Sequence, residues 1–430
     1  MDSATNSSGT EVINGYVSDP DGRGTLTIVW SCLVVVVLNT WTVIHPNIQP
    51  LDRSEGRKWL HKVNLALIAA FAPDAVAATA FSQWRAARRS YKDLKKDLPW
   101  WTMQHAFYGE MGGYRVVDRI SGQQFAVRHR QLAWLHRRKR IIIPPLEKKQ
   151  LEERSKSEPI GRFVALCQST WFLATSIARL NQHLPLTTLE VELVPFIFVT
   201  WVIYFWWWKK PMDLQTITEV PIDNMTTDEI TEMARSTCCF DKTSPWWRPM
   251  PQELHPLGWD YFWMTKPVDM KKLRFINTTH LVPPSVRNVV RMTLAEWQVA
   301  DWYRPSVNEA HPNEWDEWDG WVIYLVGVWL YGVPLVAWNY EFPTQTESIL
   351  WKTANLGSIG LITLWGPIGF ALYKIGNNPG AAWKETYYYI AVTLVFCGRV
   401  YVVLEIFMGL RSCPAAVYYT VNWSAYLPHI

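Results

Sequence analysis

Apolar stretches of membrane length recur along this chain, and two of them carry ionisable groups where lipid would surround them. Tyr387 to Met408 is long enough to cross a bilayer, yet it contains Arg399 and Glu405. An earlier stretch contains Asp74. A hydrocarbon core demands about 20 apolar residues per helix. It offers no water to solvate a charge, so an ionisable group at that depth implies a protein-lined polar pocket or an interhelical pair. The expectation is an all-α, polytopic transmembrane helical bundle with the lipid bilayer as its first partner. A mean hydropathy near zero does not contradict this, because apolar runs alternate with strongly charged loops and only windows of about 19 residues decide the matter.

Seven spans are expected, at about 24–44, 64–84, 160–180, 188–208, 320–338, 350–373 and 387–408. The resulting organisation is a polar tail over 1–23, two spans within 24–84, a basic segment over 85–159 and two spans within 160–208. A Trp- and acid-rich cap over 209–319, three spans within 320–408 and a C-terminal tail over 409–430 complete it. The second span is Ala-rich and interrupted by Pro73. The first apolar run is full-length and follows a polar, acidic segment without a basic flank, so it reads as a signal anchor, not a cleaved signal peptide.

Charge gives an orientation. Residues 85–158 hold 18 Lys/Arg and residues 209–319 hold 12, whereas the short loops 181–187 and 339–349 hold none. The excess of basic residues puts both long segments in the cytosol. With seven spans the N-terminus is then cytosolic and the C-terminus luminal, in the endoplasmic reticulum. The loop 45–63, with four basic residues, runs against this assignment. Of four glycosylation sequons, at Asn6, Asn224, Asn277 and Asn422, only Asn422 would be luminal. The 27 tryptophans suit membrane interfaces. Trp206-Trp207-Trp208-Lys209-Lys210-Pro211 reads as a membrane exit, with rings at the headgroups and a basic pair beyond them. A formal net charge of +4 is too small to suggest nucleic acid. The six cysteines form no C-x-x-C pair and are expected as free thiols.

The candidates for chemistry are sparse. Asp74 follows Pro73, which frees a backbone carbonyl one turn earlier. It is either a proton donor in an apolar setting or an acid at the start of a shorter helix beginning at Pro73. Arg399 and Glu405 lie about 120° apart around their helix, so each needs a partner from elsewhere; Asp74 is a candidate for Arg399. Thr187-Thr188-Leu189-Glu190 fits a capping box, which competes with an acid–base role for Glu190. Glu192 points to nearly the opposite face. His105 precedes Met111-Gly112-Gly113 and is either a proton shuttle or a hydrogen-bonded structural residue. Gln168, Trp171, Trp201, Tyr204 and Trp365 could line a cavity. Phosphate loops, dinucleotide fingerprints, serine nucleophile elbows, H-E-x-x-H and aspartate-rich metal motifs are not found, so neither metal nor cofactor is expected.

The remaining motifs carry a resemblance. Gly22-Arg23-Gly24-Thr25, Trp41-Thr42-x-x-His45-Pro46, Ala72-Pro73-Asp74 and Met111-Gly112-Gly113-Tyr114 resemble a fungal multi-pass membrane family. So do Ala178-Arg179-x-x-Gln182-x-Leu184-Pro185-x-Thr187, Trp207-Trp208-Lys209-Lys210-Pro211-Met212-Asp213, Arg399-x-Tyr401-x-Val403-x-Glu405 and the terminal Trp423-Ser424-x-Tyr426-Leu427-Pro428-His429-Ile430. Members of that family occur beside secondary-metabolite genes, and some resemble the membrane-bound terpene cyclase of the ascofuranone pathway. The resemblance implies acid-initiated cyclisation of a lipophilic prenylated epoxide. Asp74, with Glu190 or Glu405, would act as acid and base, Arg399 would hold a carboxylate charged, and aromatic rings would shield the cation. Family members often carry Glu in place of Asp74. A lipophilic isoprenoid would be the ligand, and other membrane enzymes of such a pathway would be partners. A small-molecule transporter and a non-catalytic receptor or scaffold are the alternatives.

Overall fold

The computed structural model describes residues 12–19, 22–48, 55–119, 124–127, 129–146, 151, 159–212, 214, 216–223, 229, 317–340, 342–375 and 381–423. Most of the expected cap over 209–319 therefore lies outside the described residues, together with Asn6, Cys238, Cys239, Asn224, Asn277 and the side chain of Trp365. The chain divides into two compact units. The first comprises Met1–Val43, Pro159–Trp201 and Tyr324–Ile430, and the second the two intervening stretches. The division falls after Val43, within the stretch 24–84 expected to hold the first two spans.

The elements run in chain order as β1 (Val12–Asn14), α1 (Thr25–Val43), α2 (Glu55–Phe71), α3 (Pro73–Leu94), α4 (Met103–Glu110), β2 (Tyr114–Asp118), β3 (Gln124–Ala126) and α5 (His129–Arg137). They continue with α6 (Pro159–Asn181), α7 (Thr188–Trp207), β4 (Thr218–Ile222), α8 (Glu317–Gly332), α9 (Gln345–Ile375), α10 (Ala381–Met408) and β5 (Ser412–Pro414). The fold is mostly helical, but short strands form two small sheets, which an all-α reading did not include.

Helices make the first unit. Four segments are long and apolar enough to cross a membrane: Thr25–Val43, Ile160–Asn181, Thr188–Trp207 and Thr393–Arg411. Tyr324–Ala337 is a shorter apolar helix, and α9 continues over 31 residues. Their shared core is built from Ile28, Val35, Phe172, Leu193, Phe196, Ile197, Trp351, Val402 and Ile406 among others. Outward positions such as Trp30, Val37, Phe163, Phe205, Leu394 and Phe407 remain exposed. Apolar side chains on both the inside and the outside are what a helix in lipid needs.

One end of this unit gathers many of its chain ends. Arg23, just before α1, pairs with Glu190 in the first turn of α7. Arg179, near the end of α6, donates to the carbonyls of Ala416, Val417 and Tyr419 beyond α10. Tyr340, which follows α8 and its 3-10 extension, approaches the Cys413 thiol. Glu347, in the first turn of α9, pairs with Arg411. At this end α1, α7 and α9 begin, and α6, α8 and α10 finish. Here too β1 and β5 pair antiparallel, Val12 with Pro414, Ile13 with Cys413 and Asn14 with Ser412. The two tails, expected on opposite sides of a membrane, are thus hydrogen-bonded in one sheet.

The second unit is built from the long loops. Its α2 and α3 meet at Ala72 with a bend of 111°, so 64–84 is not a straight span. Pro73 explains the break: it opens α3, where its missing N–H costs nothing, and its ring would clash with a carbonyl one turn back in a continuous helix. The sheet order is β3-β2-β4, with β2 antiparallel to β3 and parallel to β4. Residues from the 85–159 and 209–319 segments therefore share one sheet. The paired glycines make the turn into β2. Gly112 takes a φ of +79°, and a Cβ at Gly113 would lie 2.5 Å from the Tyr108 ring.

Candidate functional site

The expected site residues divide between the units. Glu190, Arg399 and Glu405 belong to the first; Asp74 and His105 belong to the second. Asp74 is the second residue of α3, half-buried in its first turn, where a helix N-terminus favours an acid. His105 is buried as the third residue of α4. Its Nδ1 lies 2.7 Å from the Thr102 hydroxyl and 3.2 Å from the Thr102 N–H, and its Nε2 lies 2.9 Å from the Leu146 carbonyl oxygen. Burial pushes its pKa below the usual histidine value. These contacts support the structural alternative for His105 over the shuttle.

Glu190 is consumed by its surroundings. One carboxylate oxygen takes Arg23, and the other accepts from the Thr187 N–H at 2.9 Å and the Thr187 hydroxyl at 3.0 Å. The Glu190 N–H in turn donates to the Thr187 hydroxyl at 3.2 Å, which completes the expected capping box. Arg179 adds a second clamp, with bonds of 2.7–3.3 Å to the carbonyls of Pro185, Ala416, Val417 and Tyr419. Together they tie the α6–α7 turn to both tails.

Glu192 faces elsewhere, as two residues on a helix should, about 200° apart. It pairs with Arg399 at 3.4 Å, and both side chains are buried. The partner of Arg399 sought in Asp74 is therefore supplied by Glu192. Arg399 lies about 14 Å from the end of α10 at a 1.5 Å rise per residue, and Glu192 about 6 Å into α7. The long arginine side chain makes up the difference. The side chains of Trp351 and Asn355 neighbour the Glu192 carboxylate, and the Tyr331 ring lies 5.8 Å from the guanidinium. Glu405 is fully buried and accepts from the Tyr401 hydroxyl at 3.0 Å.

The buried polar groups of this unit carry unused atoms, at the Glu192–Arg399 pair and, nearer the tail end, at Glu405, which neighbours Glu347 and Arg411. Glu192 Oε1, Arg399 Nε, Asn355 Oδ1 and Glu405 Oε1 are buried without a close hydrogen-bond partner among the described residues, and the Trp351 indole N–H, directed to the Glu192 carboxylate, makes no close bond either. Such atoms cost roughly 1–3 kcal/mol each when left unmade, so their presence calls for water or a ligand. Donors and acceptors are both present, in a setting otherwise apolar.

The expected lining residues fare differently. Trp171 is 57% exposed and stacks on Trp423, so it lies on the outer face of α6. Trp201 donates to the Ser169 hydroxyl at 3.2 Å. Gln168 is half-buried on α6, and Tyr204 is buried in the second unit. Asn422 is exposed at the surface, with its backbone held by the Gln182 side chain at 2.9 and 3.0 Å.

Sequence reasoning passed over Trp351, Asn355 and Tyr331, which carry no signal in an apolar run, and left Glu192 outside the site. It also misjudged Lys210. Instead of reaching toward headgroups, Lys210 turns back within the second unit and is buried. Its Nζ donates to the His45 carbonyl at 2.6 Å and to Gln83 Oε1 at 2.7 Å, and lies 4.5 Å from the Trp207 ring centroid. None of these partners is a carboxylate, and burial pushes its pKa well below the usual lysine range. Only Lys209 and Trp208 keep the exposed role expected of the pair.

A protein family matches residues 1–240 and 376–430, spans that contain Glu190, Glu192, Arg399 and Glu405 but not Trp351 or Asn355. No curated protein and no solved structure matches the chain. With well over half of its residues matched, the chain belongs to DUF8562, a family of unknown function.

Proposed function

We propose that this protein is an integral membrane isomerase of the endoplasmic reticulum, with its long segments in the cytosol, that cyclises a lipophilic prenylated epoxide. The observation that carries this reading is the pair of buried acids in one apolar bundle, Glu192 beside Arg399 and Glu405 beside Tyr401, each with a carboxylate oxygen left unused among the described residues. Arg399 holds Glu192 as a carboxylate. Glu405, whose donor is the neutral Tyr401 hydroxyl, supplies the proton.

The reaction balances without a co-reactant. The acid protonates the epoxide oxygen, and the carbon–oxygen bond breaks to leave a carbocation. An internal alkene attacks it to form a carbon–carbon bond, and a final proton returns to a carboxylate. The product is an isomer of the substrate. Trp351, Tyr331 and Tyr401 offer ring faces that stabilise a cation without trapping it, and a dry bundle keeps water from quenching it. Relative to the sequence expectation, the acid moves from Asp74 to Glu405, with Glu192 as base. The resemblance to a membrane terpene cyclase points to the same substrate class.

The test is conversion by microsomes containing the protein, fed a panel of prenylated phenol epoxides and analysed by mass and retention time. An isomer of unchanged mass that requires the protein, and is lost in Glu405→Gln but kept in Asp74→Asn, is the expected result. Product made equally well by Glu405→Gln, or no conversion by folded protein across the panel, removes the reading.

A further inference from the structure

We infer that the chain crosses the membrane six times with both tails in the lumen, which makes Asn6 in Asn6-Ser7-Ser8 a site of N-glycosylation. The inference begins with the β1–β5 pairing. Beyond the strand register, the Gly15 N–H donates to the Arg411 carbonyl at 2.8 Å and the Arg23 N–H to the Tyr418 carbonyl at 3.3 Å. A hydrocarbon core about 30 Å thick cannot divide a hydrogen-bonded sheet. The N-terminal and C-terminal tails therefore share a side, and the number of crossings is even.

The helices supply the number. Among the described residues the first unit has six long helices, the four of membrane length with α8 and α9; α1, α7 and α9 begin at the end where the tails meet, and α6, α8 and α10 finish there. The second expected span, 64–84, is instead the pair α2 and α3, bent by 111°. Arg85, Arg88, Arg89 and Lys92 lie on α3, and α2 leaves Trp59, Leu60, Leu67 and Phe71 exposed. A helix with exposed rings and aliphatic side chains, flanked by basic residues, lies along an interface instead of crossing it.

Charge then sets the direction. On the tail side, residues 1–24, 182–187, 338–344 and 409–430 contain only Arg23 and Arg411 as Lys/Arg. Both are ion-paired, to Glu190 and Glu347. The other side receives the four basic residues of 45–63, the 18 of 85–158 and the 12 of 209–319. Basic segments stay in the cytosol, so the tails are luminal. The loop 45–63, which contradicted seven crossings, agrees with six. The β2–β4 pairing fits as well, since it joins two segments that this topology leaves on one side. Asn6 lies 19 residues before Thr25, well clear of the first span in sequence, whereas Asn422 follows α10 closely and has its backbone held by Gln182.

The experiment uses the full chain in yeast microsomes, with different epitope tags at the two termini. Sealed vesicles are treated with protease, and mobility is compared before and after endoglycosidase H. Both tags are expected to be protected, with a glycan shift lost in Asn6→Gln and in Ser8→Ala. An N-terminal tag digested beside a protected C-terminal tag overturns the even count. Digestion of both tags overturns the luminal assignment. Protection of both without a shift at Asn6 overturns the modification. No outcome depends on turnover, so this inference and the proposed activity fail separately.

Discussion

The two glutamates near the start of α7 belong to different worlds. At the tail end of the bundle, Glu190 spends both carboxylate oxygens on Arg23 and Thr187. One layer deeper, Glu192 has an arginine at 3.4 Å and an oxygen to spare. Glu405, also buried, is answered by a single phenol. On the proposed reading, the difference separates a clasp from a site. Where a charge is fully used, it fixes chain ends; where it is partly used inside lipid, it keeps capacity for something that is not part of the chain.

Removing the clasp has the largest expected effect. Arg179→Ala strips donors from the four carbonyls of Pro185, Ala416, Val417 and Tyr419 at once. Each buried carbonyl left without its donor costs roughly 1–3 kcal/mol, so losing several at once removes much of the stability of an ordinary domain. Little folded protein is expected in detergent, as read by size-exclusion of a fluorescent fusion. Arg179→Lys does not rescue it, because a point charge cannot reproduce a planar fork that spreads over separate carbonyls. Near-normal yield of either variant would show that the tails are held by the β1–β5 sheet alone.

The contrast between the layers is sharpened by an isosteric pair. Glu190→Gln removes charge where it is used, and should cost roughly 1–3 kcal/mol as Arg23 loses its carboxylate, measured as a lower melting temperature. Glu405→Gln keeps an acceptor for Tyr401 and should change stability by less than about 1 kcal/mol, while conversion falls by about 10²-fold or more with the proton donor gone. The reverse pattern, a stability loss at Glu405 and an activity loss at Glu190, would exchange the roles of clasp and site. Asp74→Asn should do neither. It removes an acid from a helix N-terminus, worth about 0.3–1 kcal/mol, and conversion should stay within a few-fold of wild type.

What could be foreseen in the sequence follows from where the physics is local. The capping box at Thr187–Glu190, the break at Pro73 and the turn at Gly112-Gly113 each depend on residues within one helical turn, and each formed as the pattern implied. So did the apolar spans 24–44, 160–180 and 188–208, which need only length and composition. The pairing of Glu192 with Arg399 joins residues 207 positions apart, and nothing in either segment names the other. Trp351 and Asn355 are invisible for the same reason: one indole and one amide in an apolar run look like core until a carboxylate is placed beside them. Lys210 misled because a basic pair after three tryptophans fits membrane exit so well. Which lysine of the pair turns inward is decided by His45 and Gln83, far away in the chain. On the six-crossing topology inferred above, the tails misled by parity, since one interfacial elbow counted as a span inverts everything before it.

The smallest effect concerns His105, which lies in the second unit and so tests whether that unit is maintained by its own interior. Burial lowers its folded pKa below the usual value of about 6.5. An unfolded chain therefore takes up the proton first as pH falls. The stability that comes from keeping His105 neutral is fully present above about pH 6.5. It is lost as pH falls from there through the lower folded value, because the imidazolium cannot accept the Thr102 N–H that the ring now caps. Melting temperature in nanodiscs should decline over this window in wild type, and more shallowly in His105→Gln, which retains an acceptor for Thr102 without a titratable ring. The bundle residues do not share this histidine, so Glu190→Gln and His105→Gln should combine additively. A parallel decline in both proteins would assign the acid sensitivity to another group and leave His105 as a cap alone.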